Sequence, residues 1–193
     1  MSITLFCCAE LPDLPWKNGL GLTKELVSWP PSSTMDDFDW RASIAHIANN
    51  CSFSRFPGIN RVITLLTGSG IVIKTYDGAV CQTLDQSLKP FSFSGDLLIH
   101  VELIDGACHD FNLMTRGNTC NGRVDVVRDE TVHFSDPQGL FLVTDGQWQY
   151  DDQLMKSGDG LWWHQLSDKP KPLIPISAKA SILLVGIQPI CSS

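Results

Sequence analysis

Successive side chains of a β-strand point to opposite faces, and one stretch of this sequence uses that alternation to group polar residues. Along His109 to Arg116, one face carries Asp110, Asn112, Met114 and Arg116, and the other His109, Phe111, Leu113 and Thr115. Along Trp40 to Ile47, Arg41 and Ser43 lie opposite Trp40, Ala42 and Ile44. If these polar faces turn inward, Arg41, Ser43, Asp110 and Asn112 line a cavity whose mouth carries Arg61 and Arg116. Guanidinium groups grip carboxylates bidentately, while Asn and Ser supply orienting hydrogen bonds. With Trp16 and Phe53 as aromatic walls, such a cavity suits a small organic anion with a flat or apolar body.

A plainer reading competes with this one. Alternating polar residues usually mark a solvated face, and Arg41 with Asp110 would make an internal structural ion pair. On pattern alone the plainer reading is the stronger. Lys17-Asn18-Gly19 reads first as a turn, since Asn-Gly accepts positive φ. Its second reading is a loop over the cavity, with Lys17 touching an anion. A carboxylate among arginines can be tuned in either direction. A proton-transfer enzyme, an isomerase or hydrolase using Asp110 or Lys17, is therefore the functional alternative.

Other chemistries find no motif. Ser43, Ser54 and the cysteines have no His and carboxylate near them in a nucleophile elbow. Gly68-Ser69-Gly70 lacks the rest of a dinucleotide fingerprint. The seven cysteines are irregularly spaced without Cys-x-x-Cys, and free thiols in a reducing compartment are expected. The five histidines are scattered. Only His100 and Glu102 share a strand face, and a surface or hydrogen-bonded role suits them better than a metal. No catalytic residue, metal or cofactor is expected from these patterns.

The elements that must position the polar residues are short. Apolar runs rich in β-branched residues alternate with Gly, Pro, Asn and Asp, which argues for an all-β sandwich or barrel. Arg61–Thr67 and Ile71–Thr75 flank Gly68-Ser69-Gly70 and are predicted to form a strand, tight turn and strand. Leu97–Ile104 and His109–Thr115 flank Asp105-Gly106. Val124–Arg128, Leu140–Thr144, Gln147–Tyr150, Leu161–His164 and Ser181–Ile187 are further strands. Trp40–Ile47 fits a helical stripe or a strand face, and a strand is predicted. A faint echo links Val62–Gly70 with Leu140–Gly146, and Ser94-Gly95-Asp96 with Ser157-Gly158-Asp159, as a duplicated β unit would.

Fourteen basic and 21 acidic residues give a formal charge of −7, with no Lys/Arg run. Nucleic acid and anionic membrane are therefore excluded as expected partners. No apolar run approaches the roughly 20 residues of a membrane helix. The N-terminal stretch lacks the basic start of a signal peptide and reads as a first strand, so a cytoplasmic location is expected.

Three blocks, Pro15-Trp16-Lys17-Asn18-Gly19 with Gly21 and Thr23-Lys24-Glu25, Phe38-Asp39-Trp40-Arg41-Ala42-Ser43-Ile44-Ala45, and Phe53-Ser54-Arg55-Phe56-Pro57-Gly58-Ile59-Asn60-Arg61, resemble the HutD/Ves family in order. Asp110-Phe111-Asn112-Leu113-Met114-Thr115-Arg116 looks like its next block, and the wording of these blocks is closer to the Ves branch. The resemblance implies a bicupin of two jelly-roll barrels, here placed at residues 1–122 and 123–193 with strand exchange between them. A homodimer is expected on the same ground. Most cupin enzymes hold a metal with two His and a Glu just before the first Gly turn, plus a His on a later strand. Here Ser52–Thr67 offers Ser54, Phe56 and Arg61 instead, so the resemblance implies a metal-independent member. HutD proteins are associated with histidine utilisation and Ves proteins with stress. A sensor or regulator of amino-acid catabolism or stress response, binding a carboxylate such as urocanate, is the implied role. The charged signature blocks bring the pocket reading level with the structural one. A protein-interaction module using Trp29, Trp148, Trp162 and Trp163 ranks last, because such tryptophans usually belong to cores.

Overall fold

The computed structural model describes residues 2–16, 19–165 and 171–190. All regular structure among them is β-strand, in antiparallel pairs. The chain divides into two units, Pro12–Asn121 with Ile190, and Gly122–Pro189 with the N-terminal segment through Leu11.

The first unit contains β2 (Leu14–Pro15), β3 (Gly21–Trp29), β4 (Trp40–Ile47), β5 (Cys51–Ser52), β6 (Ile59–Thr67), β7 (Ile71–Thr75), β8 (Cys81–Leu84), β9 (Phe91–Ser94), β10 (Ile99–Leu103) and β11 (Cys108–Arg116). They form a six-stranded sheet, β2-β3-β4-β11-β6-β9, and a four-stranded sheet, β5-β10-β7-β8. The second unit takes β1 (Ser2–Cys7), most of β12 (Cys120–Arg128), β13 (Gln138–Asp145), β14 (Gln147–Tyr150), β15 (Gln153–Lys156), β16 (Asp159–His164), β17 (Leu173–Pro175) and β18 (Ser181–Pro189). Its sheets run β1-β16-β13-β18-β12 and β15-β14-β17.

The two units repeat one plan. From β6 to β11 the strands fall in the order large, small, small, large, small, large sheet, and β13 to β18 do the same. The neighbour orders also match: β4-β11-β6-β9 corresponds to β12-β18-β13-β16, and β10-β7-β8 to β17-β14-β15. The Thr-Gly echo is thus structural, since both turns carry the chain from a large sheet to a small one. The Ser-Gly-Asp echo is not, because Gly95 precedes β10 whereas Gly158 precedes β16.

The predicted hairpin at Gly68-Ser69-Gly70 is corrected. β6 pairs with β11 and β9, while β7 pairs with β10 and β8, so the two strands belong to different sheets. Apolar runs around a glycine turn reveal two strands but not their partners. The glycines are needed for the crossing: Gly70 has φ 101°, and a Cβ there would meet the Leu84 carbonyl oxygen at 2.0 Å.

In the first unit, Ile47, Ile63, Leu65, Phe93 and Cys108 of the large sheet pack with Cys51, Ile71, Ile73, Leu84, Ile99 and Val101 of the small one. In the second unit the core is aromatic, built on Phe134, Phe141, Trp148, Tyr150 and Trp163. Trp148 and Trp163 are fully buried, which removes them as partner contacts. Among the described residues, no helix is long and apolar enough to cross a membrane.

Candidate functional site

The three adjacent strands β4, β11 and β6 bring together the polar residues of the first unit. Antiparallel register sets Asn112 between Ser43 and Ile63, and Met114 between Arg41 and Arg61. Residues two apart share a face, so Asp110, Asn112, Arg61, Ser43 and Arg41 all lie on one side of the sheet. That side is not solvated. Arg41, Ser43, Arg61, Asp110 and Asn112 are all buried, Asp110 at 1% exposure and Arg61 at 7%.

Two polar chains occupy this interior. In the first, Arg61 Nη2 donates to Asn112 Oδ1 at 2.9 Å, and Asn112 Nδ2 donates in turn to Asp110 Oδ1. The Arg61 guanidinium lies 5.0 Å from the ring centres of Phe53 and Phe93 and 5.9 Å from Phe56. Aromatic faces of this kind hold a desolvated cation. In the second chain, Arg41 Nε donates to Glu25 Oε2 at 2.7 Å and Nη1 to Ser43 Oγ at 3.2 Å. Arg41 therefore pairs with Glu25 of β3, not with Asp110.

The first chain is incomplete. Arg61 Nε and Asp110 Oδ2 are buried without a hydrogen-bond partner, as is Thr64 Oγ1 on the opposite face. Most buried polar atoms in folded proteins are paired, and an orphan costs about 1–3 kcal/mol. The titration behaviour reflects the same enclosure. Burial raises the Asp110 carboxyl to about 7, against the opposing pull of Arg61 and of the Asn112 hydrogen bond. Burial also lowers Arg61 to about 10, with Asp110 opposing and Arg41 assisting. Burial pushes the Cys108 thiol up to about 12 and raises Cys51 as well, both helped by the Asp110 charge. Neither sulfur is a ready thiolate nucleophile.

The remaining sequence candidates are placed differently. Phe53 stands against Arg61, and Trp16 meets Phe53 edge-on at 6.4 Å while its Nε1 donates to Thr23 Oγ1 at 2.7 Å. Arg61 sits inside the polar cluster, not at its mouth. Arg116 is elsewhere: its Nε donates to the Phe38 carbonyl and its Nη2 to the Asp36 carbonyl, clamping that loop. It also borders an open cleft of about 620 Å³ with Pro57, Gly58, Asn60, Asp96, Gly117 and Asn118. Lys17 and Asn18 lie outside the described residues. Glu25, Phe56 and Phe93 were not among the predicted site residues. For Phe93 the alternation Phe91-Ser92-Phe93 was the available signal.

A metal does not fit this donor set. Beside its deeply buried carboxylate, Asp110, the interior presents the Arg61 guanidinium, which repels a cation. Among the described residues, no group of three or more His, Cys, Asp and Glu side chains is placed to hold a metal. Glu102, two residues from His100 on β10, instead accepts from Lys74 Nζ at 2.6 Å on the surface.

The sheets and the occupant of their interior define a class: an all-β, cupin-like protein whose buried polar cluster is built on arginine. The HutD family model matches residues 8–183, and the chain belongs to that family. It is 39% identical to Protein Ves of Escherichia fergusonii over 160 residues, 82% of either chain. Its fold is similar to that of HutD from Pseudomonas fluorescens, solved in a formate condition, with TM-score 0.85, 26% identity, and 98% and 100% of the two chains covered. More distantly, the pirin YhhW of Escherichia coli in complex with nickel(II) shares the fold at TM-score 0.65 and 12% identity, over 98% and 100% of the chains.

Proposed function

We propose that this chain is a metal-independent cupin-like protein that binds a small organic anion in the interior of its first unit, as a sensor or regulator and not as a catalyst. The observation that carries the proposal is the pair of buried, unpartnered atoms Arg61 Nε and Asp110 Oδ2 at the two ends of one hydrogen-bonded chain. A guanidinium held by three aromatic rings offers a donor to a carboxylate, and Asn112 fixes its orientation. Family membership supports a ligand from amino-acid catabolism, since the resemblance to HutD implies histidine-degradation intermediates such as urocanate or formylglutamate. The resemblance to the Ves branch implies a stress response as the setting.

The test is a thermal-shift and calorimetric screen with urocanate, formylglutamate, glutamate and formate. Saturable stabilisation by one of them, lost in Arg61→Ala, is the expected result. No response to any of the four would defeat the proposal. One observation favours a second reading: a carboxyl that titrates near neutrality suits general acid–base chemistry. In that case one of these compounds would be turned over, and Asp110→Asn would abolish turnover while leaving binding intact.

A further inference from the structure

With Asp110 ionised, the polar interior of the first unit holds a balanced set of charges. Arg61 of β6 faces Asp110 of β11 through Asn112, and Arg41 of β4 is paired with Glu25 of β3. Among the described residues, the other titratable groups that feel the Asp110 charge are the thiols of Cys51 on β5 and Cys108 on β11, both kept neutral by burial. The small sheet contributes Ile71, Ile73, Ile99 and Val101, and β9 contributes Phe93, none of which carries charge. An anion arriving at Arg61 would take over the partner of Asp110 and leave one net negative charge in an enclosed, largely apolar core. Such a charge is strongly disfavoured unless a proton cancels it.

The geometry names the atom that receives the proton. Asp110 Oδ1 already accepts from Asn112, whereas Oδ2 is buried without a partner. A proton on Oδ2 converts it from a second acceptor, which would repel a carboxylate, into a donor. Arg61 Nε is the neighbouring free donor of the same chain. A carboxylate accepting from Nε–H with one oxygen and from Oδ2–H with the other would satisfy both atoms.

Resting on the reading of this interior as an anion site, we propose that a monocarboxylate is taken up together with one proton from solvent, which Asp110 holds on Oδ2. Specificity follows. Among the intermediates named above, the site selects urocanate, with one carboxylate, over the dianion formylglutamate, because no second proton acceptor beside Asp110 among the described residues cancels a second charge. The raised titration point of Asp110 supports the assignment, because it places proton uptake within the physiological range.

Formate is the probe, since a simple carboxylate titrates at roughly 4 and carries a constant charge above pH 5.5. Calorimetry in buffers of different ionisation enthalpy counts protons directly. The expected result is uptake of close to one proton per formate at pH 8 and close to none at pH 5.5. The dissociation constant should weaken about tenfold for each pH unit above 7. In Asp110→Asn, binding should vary less than about twofold over the same range, with no proton exchanged. Wild-type binding that is independent of pH and exchanges no proton would overturn the coupling and leave the anion site standing. Folded protein that never binds formate at any pH would remove both.

Discussion

Replacing Asp110 with Asn should change how stability depends on pH, and the size of the change can be worked from the site. In the folded protein burial holds this carboxyl protonated up to about 7, while its ordinary value is 3.8. A raised carboxyl contributes stability that is fully present below the unfolded value and is lost as pH rises through the folded one. Between pH 5 and 7 the unfolded chain has already released this proton and the folded chain has not. Two pH units at about 1.4 kcal/mol each give about 3 kcal/mol lost by the wild type over that interval. Asn is nearly isosteric, keeps an oxygen to accept from Asn112 Nδ2, and cannot ionise.

Urea unfolding of both proteins at pH 5 and pH 8 isolates this effect. His109 and His164, which burial lowers below their ordinary value, add their own pH dependence equally to both proteins, so they cancel in the comparison. The wild type should lose about 3 kcal/mol more than Asp110→Asn between the two pH values, roughly 1 M in urea midpoint. Parallel pH profiles, differing by less than about 1 kcal/mol, would refute the claim that Asp110 is a buried carboxyl with a strongly raised titration point.

Other expectations rest on neighbouring residues. Arg61→Met should cost about 3–5 kcal/mol at pH 8, where it strands an ionised Asp110, and clearly less at pH 5, where that carboxyl is neutral; denaturant titrations at both pH values check this. Gly70→Ala should cost at least about 2 kcal/mol, because φ is 101° and the Leu84 carbonyl blocks the added methyl; thermal unfolding measures it. Trp148→Ala should cost about 3–5 kcal/mol by the same assay, as expected of a core residue and not of an exposed partner contact.

Much of the site was legible in the sequence, for an identifiable reason. On β4 and β11 the period-two alternation is unbroken from Arg41 to Ser43 and from Asp110 to Asn112, so their shared face could be read directly. Whether that face met water or a core could not, since alternation is the same in either case. Glu25 was hidden because β3 carries a bulge between Glu25 and Val27, which breaks the periodicity that would have placed it beside Ser43. Arg116 follows the alternation of β11 but stands at its end, where backbone carbonyls of Asp36 and Phe38 capture it. The exchange of strands between sheets at Gly68–Gly70 depends on long-range pairing, which local turn chemistry does not encode.

Crystallography of the protein grown in formate addresses the interior directly. Flat, three-atom density within hydrogen-bonding distance of both Arg61 Nε and Asp110 Oδ2 is the expected result, with no metal peak in anomalous maps. Density confined to the surface, with Arg61 turned out to bulk water or a transition ion seated beside Asp110, would contradict the assignment of this cluster as an anion site.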